Sequence, residues 1–265
     1  MTAQNLAEKR EQYQLREQAK AKHAQYREDV FSRTKRSPET LEQIAVDAQQ
    51  RFENSADANE VLAWVAAEFG HRTAVACSMA DLVLPHLVAQ HLPWVDTLFL
   101  ETGYHFPETT GTRDAAEASM ELTIVDVLPR QTVAEQDAEF GKDLYKRDPA
   151  LCCQMRKVEP LSAALQDYEV WITGVRRDES PLRADTHLVT WDAKNSLVKV
   201  NPVAAWSFDD LVSYSAQHDL IVNPLIEEGY PSIGCAPCTR KVAPGEDPRA
   251  GRWAGFNKTE CGLHT

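Results

Sequence analysis

The chain has 265 residues, of which 43% are hydrophobic, and its formal net charge is −12. This length can bury a full hydrophobic core, and the composition excludes a disordered or fibrous protein. The acidic balance argues against a broad nucleic-acid-binding surface, so an anionic ligand would need local clusters of Lys and Arg. No apolar run of 18 residues occurs, and the sequence therefore predicts no membrane span.

The first 40 residues are dominated by Gln, Glu, Lys, Arg and Ala. They predict a charged, solvent-exposed helix or arm that ends near Ser37-Pro38. This segment lacks the apolar centre of a secretory signal, so we expect a cytoplasmic protein. In a reducing cytoplasm, clustered cysteines more often bind metals or act in catalysis than form disulfides.

Strands and helices alternate after a helical region at residues 39–69, which predicts one or two amphipathic helices. Strands are predicted at 73–77, 97–100, 122–127 and 170–173, and helices at 81–91 and 107–120. This alternation predicts an α/β fold with a parallel twisted sheet flanked by helices. Ligands of such sheets bind beyond the C-terminal ends of the strands.

Polar residues and glycines follow three of the predicted strands, and we expect them to line a ligand pocket. They are Ser78, Thr102, Gly103 and Gly174. The remaining thiol at a strand end, Cys77, is interpreted as a core residue.

From about Ser232 the sequence becomes rich in Gly, Pro, Cys and Arg and loses apolar periodicity. We therefore divide the chain into an extension (1–40), an α/β domain (41–231) and a loop-rich C-terminal segment (232–265). A segment without a core of its own needs a metal cluster or a ligand to order it.

Five of the six cysteines lie in three contexts: the pair Cys152-Cys153, the pair Cys235 and Cys238, and Cys261 near the C-terminus. Two pairs supply four thiolates, the number that a zinc site or a 4Fe–4S cluster uses. Adjacent cysteines can bind separate iron corners of a cubane without the strain of meeting at one tetrahedral ion, which favours the cluster. A zinc site and a redox disulfide in the C-x-x-C pair stay open as alternatives. Cys261 is then left for chemistry, or is an incidental exposed thiol.

Five segments together resemble the assimilatory adenylyl-sulfate (APS) reductases of the iron–sulfur type, within the PAPS/APS reductase family. The segments are Leu-Glu-Thr-Gly-Tyr-His-Phe-Pro-Glu-Thr at 100–109, Cys-Cys-Gln-Met-Arg-Lys at 152–157, Trp-Ile-Thr-Gly-Val-Arg-Arg-Asp-Glu-Ser at 171–180, Gly-Cys-Ala-Pro-Cys at 234–238 and Glu-Cys-Gly-Leu-His at 260–264. They follow the family's order, and the first 40 residues take no part. The resemblance implies an adenine nucleotide α-hydrolase-like (PP-loop) fold.

The resemblance also implies an activity, the reduction of adenosine 5′-phosphosulfate to sulfite and AMP with electrons from thioredoxin. This reaction belongs to assimilatory sulfate reduction and cysteine biosynthesis. Sister enzymes that reduce the 3′-phosphorylated substrate, PAPS, typically lack both cysteine pairs. The pairs at Cys152, Cys153, Cys235 and Cys238 therefore imply a 4Fe–4S cluster and APS as the substrate.

The expected mechanism is attack of the Cys261 thiolate on the sulfuryl sulfur, which leaves an S-sulfocysteine on the enzyme. Thioredoxin then attacks Cys261 and releases sulfite. Residues expected at the substrate are Lys157, Arg249, Arg252 and His264 for the phosphosulfate, Arg176 and Arg177 as further guanidinium donors, and Ser78, Thr102, Gly103 and Gly174 for the adenosine.

One segment departs from the ATP-using relatives of this fold, since the loop at residues 77–81 is thinner than their Ser/Gly-rich phosphate loop. A thin loop fits a substrate that has no β- or γ-phosphate. Three alternatives stay open: the same chemistry on PAPS, a PP-loop adenylating enzyme with a structural zinc, and a non-enzymatic metal module. We expect neither nucleic acid nor membrane as a partner, and the sequence leaves open whether the chain forms a homo-oligomer.

Overall fold

The computed structural model describes residues 3–53, 57–256, 258 and 260–264, with side chains from residue 10 onward. Its centre is a six-stranded sheet in the order β3-β2-β1-β4-β6-β5. The strands are β1 (Thr73–Ala76), β2 (Val95–Leu100), β3 (Leu122–Val127), β4 (Val170–Thr173), β5 (Val189–Asp192) and β6 (Leu197–Val200). All neighbours pair in parallel except β5, which runs antiparallel to β6. The predicted α/β fold with a mainly parallel sheet is confirmed.

The helices pack around this sheet. They are α1 (Ala3–Phe31), α2 (Pro38–Phe52), α3 (Ala58–Phe69), α4 (Val83–His91), α5 (Pro107–Ser119), α6 (Val133–Phe140), α7 (Leu144–Arg147), α8 (Pro149–Cys153), α9 (Glu159–Ala164) and α10 (Phe208–Gln217). Two helices, α2 and α3, lie in the region where the sequence predicted one or two. Among the described residues, no helix has the length and apolar content needed to cross a bilayer.

The hydrophobic core has two layers, one on each face of the sheet, because successive side chains of a strand point to opposite faces. On one face, Val75 and Ile172 pack with α2, α3 and α4, whereas on the other Ala74 and Trp171 pack with α9. Successive side chains of a strand point to opposite faces, so both faces of a covered parallel sheet must be apolar. Full burial of a side chain such as Val75 or Ile172 contributes about 1.5–3 kcal/mol to the free energy of folding.

The hairpin of β5 and β6 is absent from the sequence-based prediction. Its connection, residues 193–196, contains no glycine, so the usual hairpin signal is missing. Ser196 takes the left-handed backbone conformation instead, with φ of 54°. Asp192 stabilises the turn by accepting hydrogen bonds from the Asn195 backbone (3.1 Å) and side chain (2.8 Å).

Helix α1 is less exposed than its composition predicts. Arg16 donates to the Glu117 carbonyl in the last turn of α5 at 2.6 Å and to the carbonyl of Met120, which follows the helix, at 2.8 Å. Arg27 pairs at 2.6 Å with Asp96, which is buried near the start of β2 and also accepts a hydrogen bond from Tyr168. The second half of the helix thus packs at the N-terminal ends of the strands.

The C-terminal segment has few regular elements but many backbone hydrogen bonds. Thr239 and Arg252 form an isolated antiparallel bridge, and Ala236 donates to the Tyr104 carbonyl at 2.7 Å. Trp253 supplies a buried anchor with 2% exposure. Within the described residues, protein contacts therefore already hold much of a segment that we expected a metal or a ligand to order.

Candidate active site

A cavity of about 460 Å³ opens at the C-terminal ends of the parallel strands. This is the end opposite to α1 and the position that the parallel sheet predicts for a ligand site. The predicted site residues that line it are Ser78, Thr102, Lys157, Gly174, Arg176, Arg249, Arg252, Cys261 and His264. The fold thus brings residues from five separate parts of the chain to one place.

Gly103 does not line the cavity and has a conformational role instead. Its φ of +74° is in the left-handed region, and its N–H donates to the Glu101 carboxylate at 2.7 Å. An added Cβ would lie 2.8 Å from Val133 Cγ2 and 3.1 Å from Arg156 Nη2. The turn and the packing of Arg156 therefore require glycine at this position.

Arg177 also lies outside the cavity lining. Its Nη2 pairs with Glu53 at 2.7 Å, and its Nε donates to the Thr186 carbonyl at 2.8 Å. These contacts tie the loop after β4 to the end of α2. The structure therefore does not bring Arg177 together with the other predicted substrate residues, since its guanidinium pairs with Glu53.

Arg252 has an unused donor inside the cavity wall. It donates to Ser232 Oγ at 3.2 Å and to the Ile233 carbonyl at 3.0 Å, but its buried Nε has no partner among the described residues. Buried donors without partners are rare in folded proteins and favour a ligand. A Cβ on Gly234 would lie 2.5 Å from Arg252 Nη2, so glycine at this position leaves room for the guanidinium.

Lys157 lines both this cavity and a second, smaller one. Burial alone would lower the pKa of Lys157, but the neighbouring thiol groups of Cys235 and Cys261 raise it overall. The lysine therefore stays charged. It is placed to interact with an anion on one side and with the thiols on the other.

The four paired cysteines line the smaller cavity. They are joined there by Tyr104, Tyr145, Pro149, Arg156, Lys157 and Pro237. Cys152 and Cys153 end α8, which Asp148 caps by accepting from the Leu151 N–H at 2.9 Å. A π-helical segment, Gln154–Val158, follows directly. Such segments are rare and often lie at functional sites, and this one carries Lys157.

Cys235 and Cys238 are held by a short 3₁₀ turn, Ala236–Cys238. Burial, and then the nearby thiols of Cys153 and Cys235, raise the pKa of Cys238 to about 11. Burial and the other three thiols likewise raise the pKa of Cys152 to about 12. Burial opposes ionisation of Cys235, but Lys157 and the Thr102 hydroxyl lower its pKa overall.

Within the part of the chain that the structure describes, no group of three or more His, Cys, Asp or Glu side chains is arranged to hold a single metal ion. The donor set around the smaller cavity is nevertheless four thiols facing one another, which is the set that iron–sulfur clusters use. These residues fit such a group by their number, their chemistry and their convergence on one space.

The end of the chain covers the larger cavity. His264 stacks on Trp171 with ring centroids 5.7 Å apart and an angle of 12° between the planes. Lys194 donates to the Gly262 carbonyl at 3.3 Å, and Leu263 packs against the sheet core. Burial, followed by the charges of Lys199, Arg183 and Arg249, holds the pKa of His264 well below its usual value, so this imidazole is neutral. Cys261 is thereby placed inside the cavity.

Arg183 and Glu260 are among the charged residues of this site that were not singled out from the sequence. Arg183 and Glu260 both line the cavity and pair with each other at 2.8 Å. Glu260 precedes the predicted nucleophile, which could have drawn attention to it, whereas no local signal marks Arg183. Cys77 also departs from expectation, since it lies half-buried in the cavity wall, where burial raises its pKa to about 12.

Residues 72–241 match the family model described as the phosphoadenosine phosphosulfate reductase domain. An adenosine 5′-phosphosulfate reductase of Streptomyces coelicolor is 55% identical over 86% of this chain and 97% of its own length. A protein of the same name from Mycolicibacterium smegmatis is 55% identical over 79% of this chain and 89% of its own. The crystal structure of a PAPS reductase from Candida auris has a TM-score of 0.63 at 23% identity, covering 74% of this chain and 96% of that one, and this supports the fold.

Proposed function

Because the chain belongs to the phosphoadenosine phosphosulfate reductase domain family and is an enzyme of the kind that its curated relatives name, we propose that it reduces adenosine 5′-phosphosulfate to sulfite and AMP. The observation that carries this proposal is the meeting of Cys261 with Lys157, Arg249 and Arg252 around one cavity. A thiol beside several cations suits a substrate that is both anionic and electrophilic.

In the first step the Cys261 thiolate attacks the sulfuryl sulfur. An S–S bond forms, the S–O bond to the phosphate breaks, and AMP leaves with the electron pair of that bond. The nearby cations favour this step because they stabilise the charge that develops on the leaving phosphate. The product on the enzyme is an S-sulfocysteine at Cys261.

In the second step an external dithiol, reduced thioredoxin, attacks Cys261 Sγ and expels sulfite with the electrons of the S–S bond. The second thiol of the donor then resolves the mixed disulfide and restores Cys261. The donor is oxidised to a disulfide while sulfur passes from the sulfate to the sulfite level. Cys261 lies in a loop segment that lines the cavity, and a loop can present its thiol to another protein.

Each residue of the cavity is assigned to a part of the substrate. Arg252, with its unpartnered Nε, is assigned to an oxygen of the phosphosulfate, as a guanidinium can donate to two oxygens at once. Lys157 binds the same group from the side of the cysteine pairs. His264 is neutral, so it contributes as a hydrogen-bonding group that closes the cavity over the sulfate. Ser78, Thr102 and Gly174 are assigned to the adenosine.

Cys152, Cys153, Cys235 and Cys238 would hold a 4Fe–4S cluster. When bound, that group would tie the two cysteine segments together and contribute charge beside Lys157, with no change of its oxidation state needed, because the electrons arrive as thiols. Lys157 lines both cavities, so its ammonium group can interact with the cluster on one side and with the substrate on the other. We place this enzyme in cytoplasmic assimilatory sulfate reduction and cysteine biosynthesis.

The test is anaerobic purification followed by an iron count and turnover with thioredoxin. We expect a brown protein with about four irons per chain and faster sulfite release from APS than from PAPS. A colourless protein that turns over ATP would instead favour the adenylating enzyme with a zinc site. Faster turnover of PAPS would favour the sister activity.

A further inference from the structure

We propose that Glu260 is a positioning residue, which holds Cys261 in the cavity by pairing with Arg183 and Arg249. The inference rests on the proposed role of Cys261 as the nucleophile, and it assigns a function to the residue immediately before it. Neither the composition of the cavity nor the chemistry of the thiol by itself requires a carboxylate at this place.

The geometry around Glu260 is a two-point ion pair reinforced by a second arginine. Arg183 donates from Nε to Oε1 at 2.9 Å and from Nη2 to Oε2 at 2.8 Å. Arg249 Nη2 lies 3.2 Å from Oε2. The side chains of Glu260 and Arg183 are each 12% exposed and that of Arg249 is 14% exposed, so solvent screens these contacts weakly.

Arg183 is itself fixed to the sheet. It ends the 3₁₀ turn Pro181–Arg183 and pairs with Glu179, whose carboxylate also accepts the Arg176 N–H at 3.0 Å. That loop follows β4 directly. The carboxylate of Glu260 therefore connects the segment that carries Cys261 to the loop that follows β4.

Glu260 and His264 lie on either side of Cys261, and each has its own anchor. His264 stacks on Trp171 of β4, whereas Glu260 pairs with the loop that follows the same strand. Two anchors flanking the thiol restrict its position more than either one alone. Two-point charge-assisted hydrogen bonds with low exposure are also stronger than exposed ion pairs.

A positioning role and a binding role predict different kinetics. The proposed substrate is an anion, and the negative charge of Glu260 does not attract it. Loss of that charge should therefore not weaken substrate binding. Its loss should instead let Cys261 leave the productive position, which lowers the rate of the chemical step. The expected signature is a lower kcat with an unchanged or lower KM.

The experiment compares Glu260→Gln with Glu246→Gln in the anaerobically purified full chain. Glu246 is a matched control, because it accepts from Arg240 at 2.6 and 3.1 Å in the same segment but does not line the cavity. Alkylation of Cys261 by iodoacetamide, measured by peptide mass spectrometry without substrate, reports whether the thiol is held. Sulfite release from APS gives kcat and KM.

For Glu260→Gln we expect Cys261 to be alkylated at least about 5-fold faster and kcat to fall at least about 10-fold, since small displacements of a reacting group have effects of this order. Glu246→Gln should behave as the wild type, and Glu260→Asp, which keeps the charge, should recover part of kcat. Wild-type alkylation and kcat in Glu260→Gln would overturn the proposal, as would a raised KM at constant kcat. If the wild-type chain released no sulfite from APS, the proposed function would fail, yet the alkylation comparison would still decide whether Glu260 holds the thiol.

Discussion

The two cavities of this protein use cysteine in opposite ways. In the smaller one, two of the four thiols end α8, one directly precedes the turn Ala236–Cys238 and one ends that turn. In the larger one, the thiol of Cys261 lies among arginines and a lysine, whereas Cys77 lies in the wall directly after β1. The difference teaches that environment, not residue type, assigns the roles: mutually facing thiols suit a cluster, whereas one thiol among cations suits a nucleophile.

Lys157 is the residue that both cavities share, and it follows Cys153 within one π-helical turn. The comparison therefore predicts three classes of variant. Changes at Cys261 should affect chemistry alone, changes at the four thiols should affect the metal centre, and a change at Lys157 should affect the coupling between the two.

The largest effect is expected from Cys261→Ser. A serine hydroxyl is a far weaker nucleophile at neutral pH than a thiolate, so sulfite release should fall by on the order of 10³-fold or more. Iron content and the visible absorption spectrum should stay at wild-type values. A variant that still turned over would remove the division of roles between the two cavities.

The converse variant is Cys238→Ser, which removes one of the four facing thiols. We expect loss of most of the iron and of the brown colour, because a cluster of this kind uses four cysteine ligands. The iron count after anaerobic purification measures this, with Cys261→Ser as the matched control. Full iron content in Cys238→Ser would contradict the assignment of the smaller cavity.

Lys157→Met should have an intermediate effect, since it removes the charge but keeps much of the side-chain length. A hydrogen bond to a charged group is worth about 1.5–3 kcal/mol, so APS or AMP should bind about 10- to 100-fold more weakly. Calorimetric titration with AMP measures the affinity, and the iron count shows whether the cluster survives. Unchanged affinity would mean that the lysine serves the thiols alone.

The smallest effect concerns the segment 260–264, called the tail below, and the pH dependence of its docking over the larger cavity. His264 has a lowered pKa in the docked tail, whereas an undocked histidine titrates near its ordinary value of about 6.5. The undocked tail therefore binds a proton that the docked tail does not, and docking weakens as the pH falls below about 6.5.

Between pH 7.5 and 5.5 the ratio of docked to undocked tail should fall by up to about 10-fold. Alkylation of Cys261, divided at each pH by the rate for a free peptide of residues 256–265, corrects for ionisation of the thiol itself. In His264→Asn the normalised rate should no longer depend on pH in this range. A pH dependence that persists in this variant would assign the effect to another group.

The N-terminal ends of the strands, where α1 packs, show what the sequence could not predict. Arg27 and Asp96 are separated by 69 residues, and nothing in the local pattern around either indicates their ion pair. The same holds for Arg183 and Glu260, which are 77 residues apart. Charged residues on amphipathic elements look solvent-exposed until the fold brings an opposite charge beside them.

What the sequence by itself determined were the features with a local physical cause. Apolar patterns predicted four of the six strands and the helical regions that form α2 to α5, and most of the residues predicted at the substrate line the larger cavity. Only the tertiary structure decided that Arg177 turns to Glu53, that Gly103 serves a turn, and that Glu260 anchors the tail. These outcomes depend on contacts between residues that are far apart in the sequence, and a local periodic pattern carries no information about such contacts.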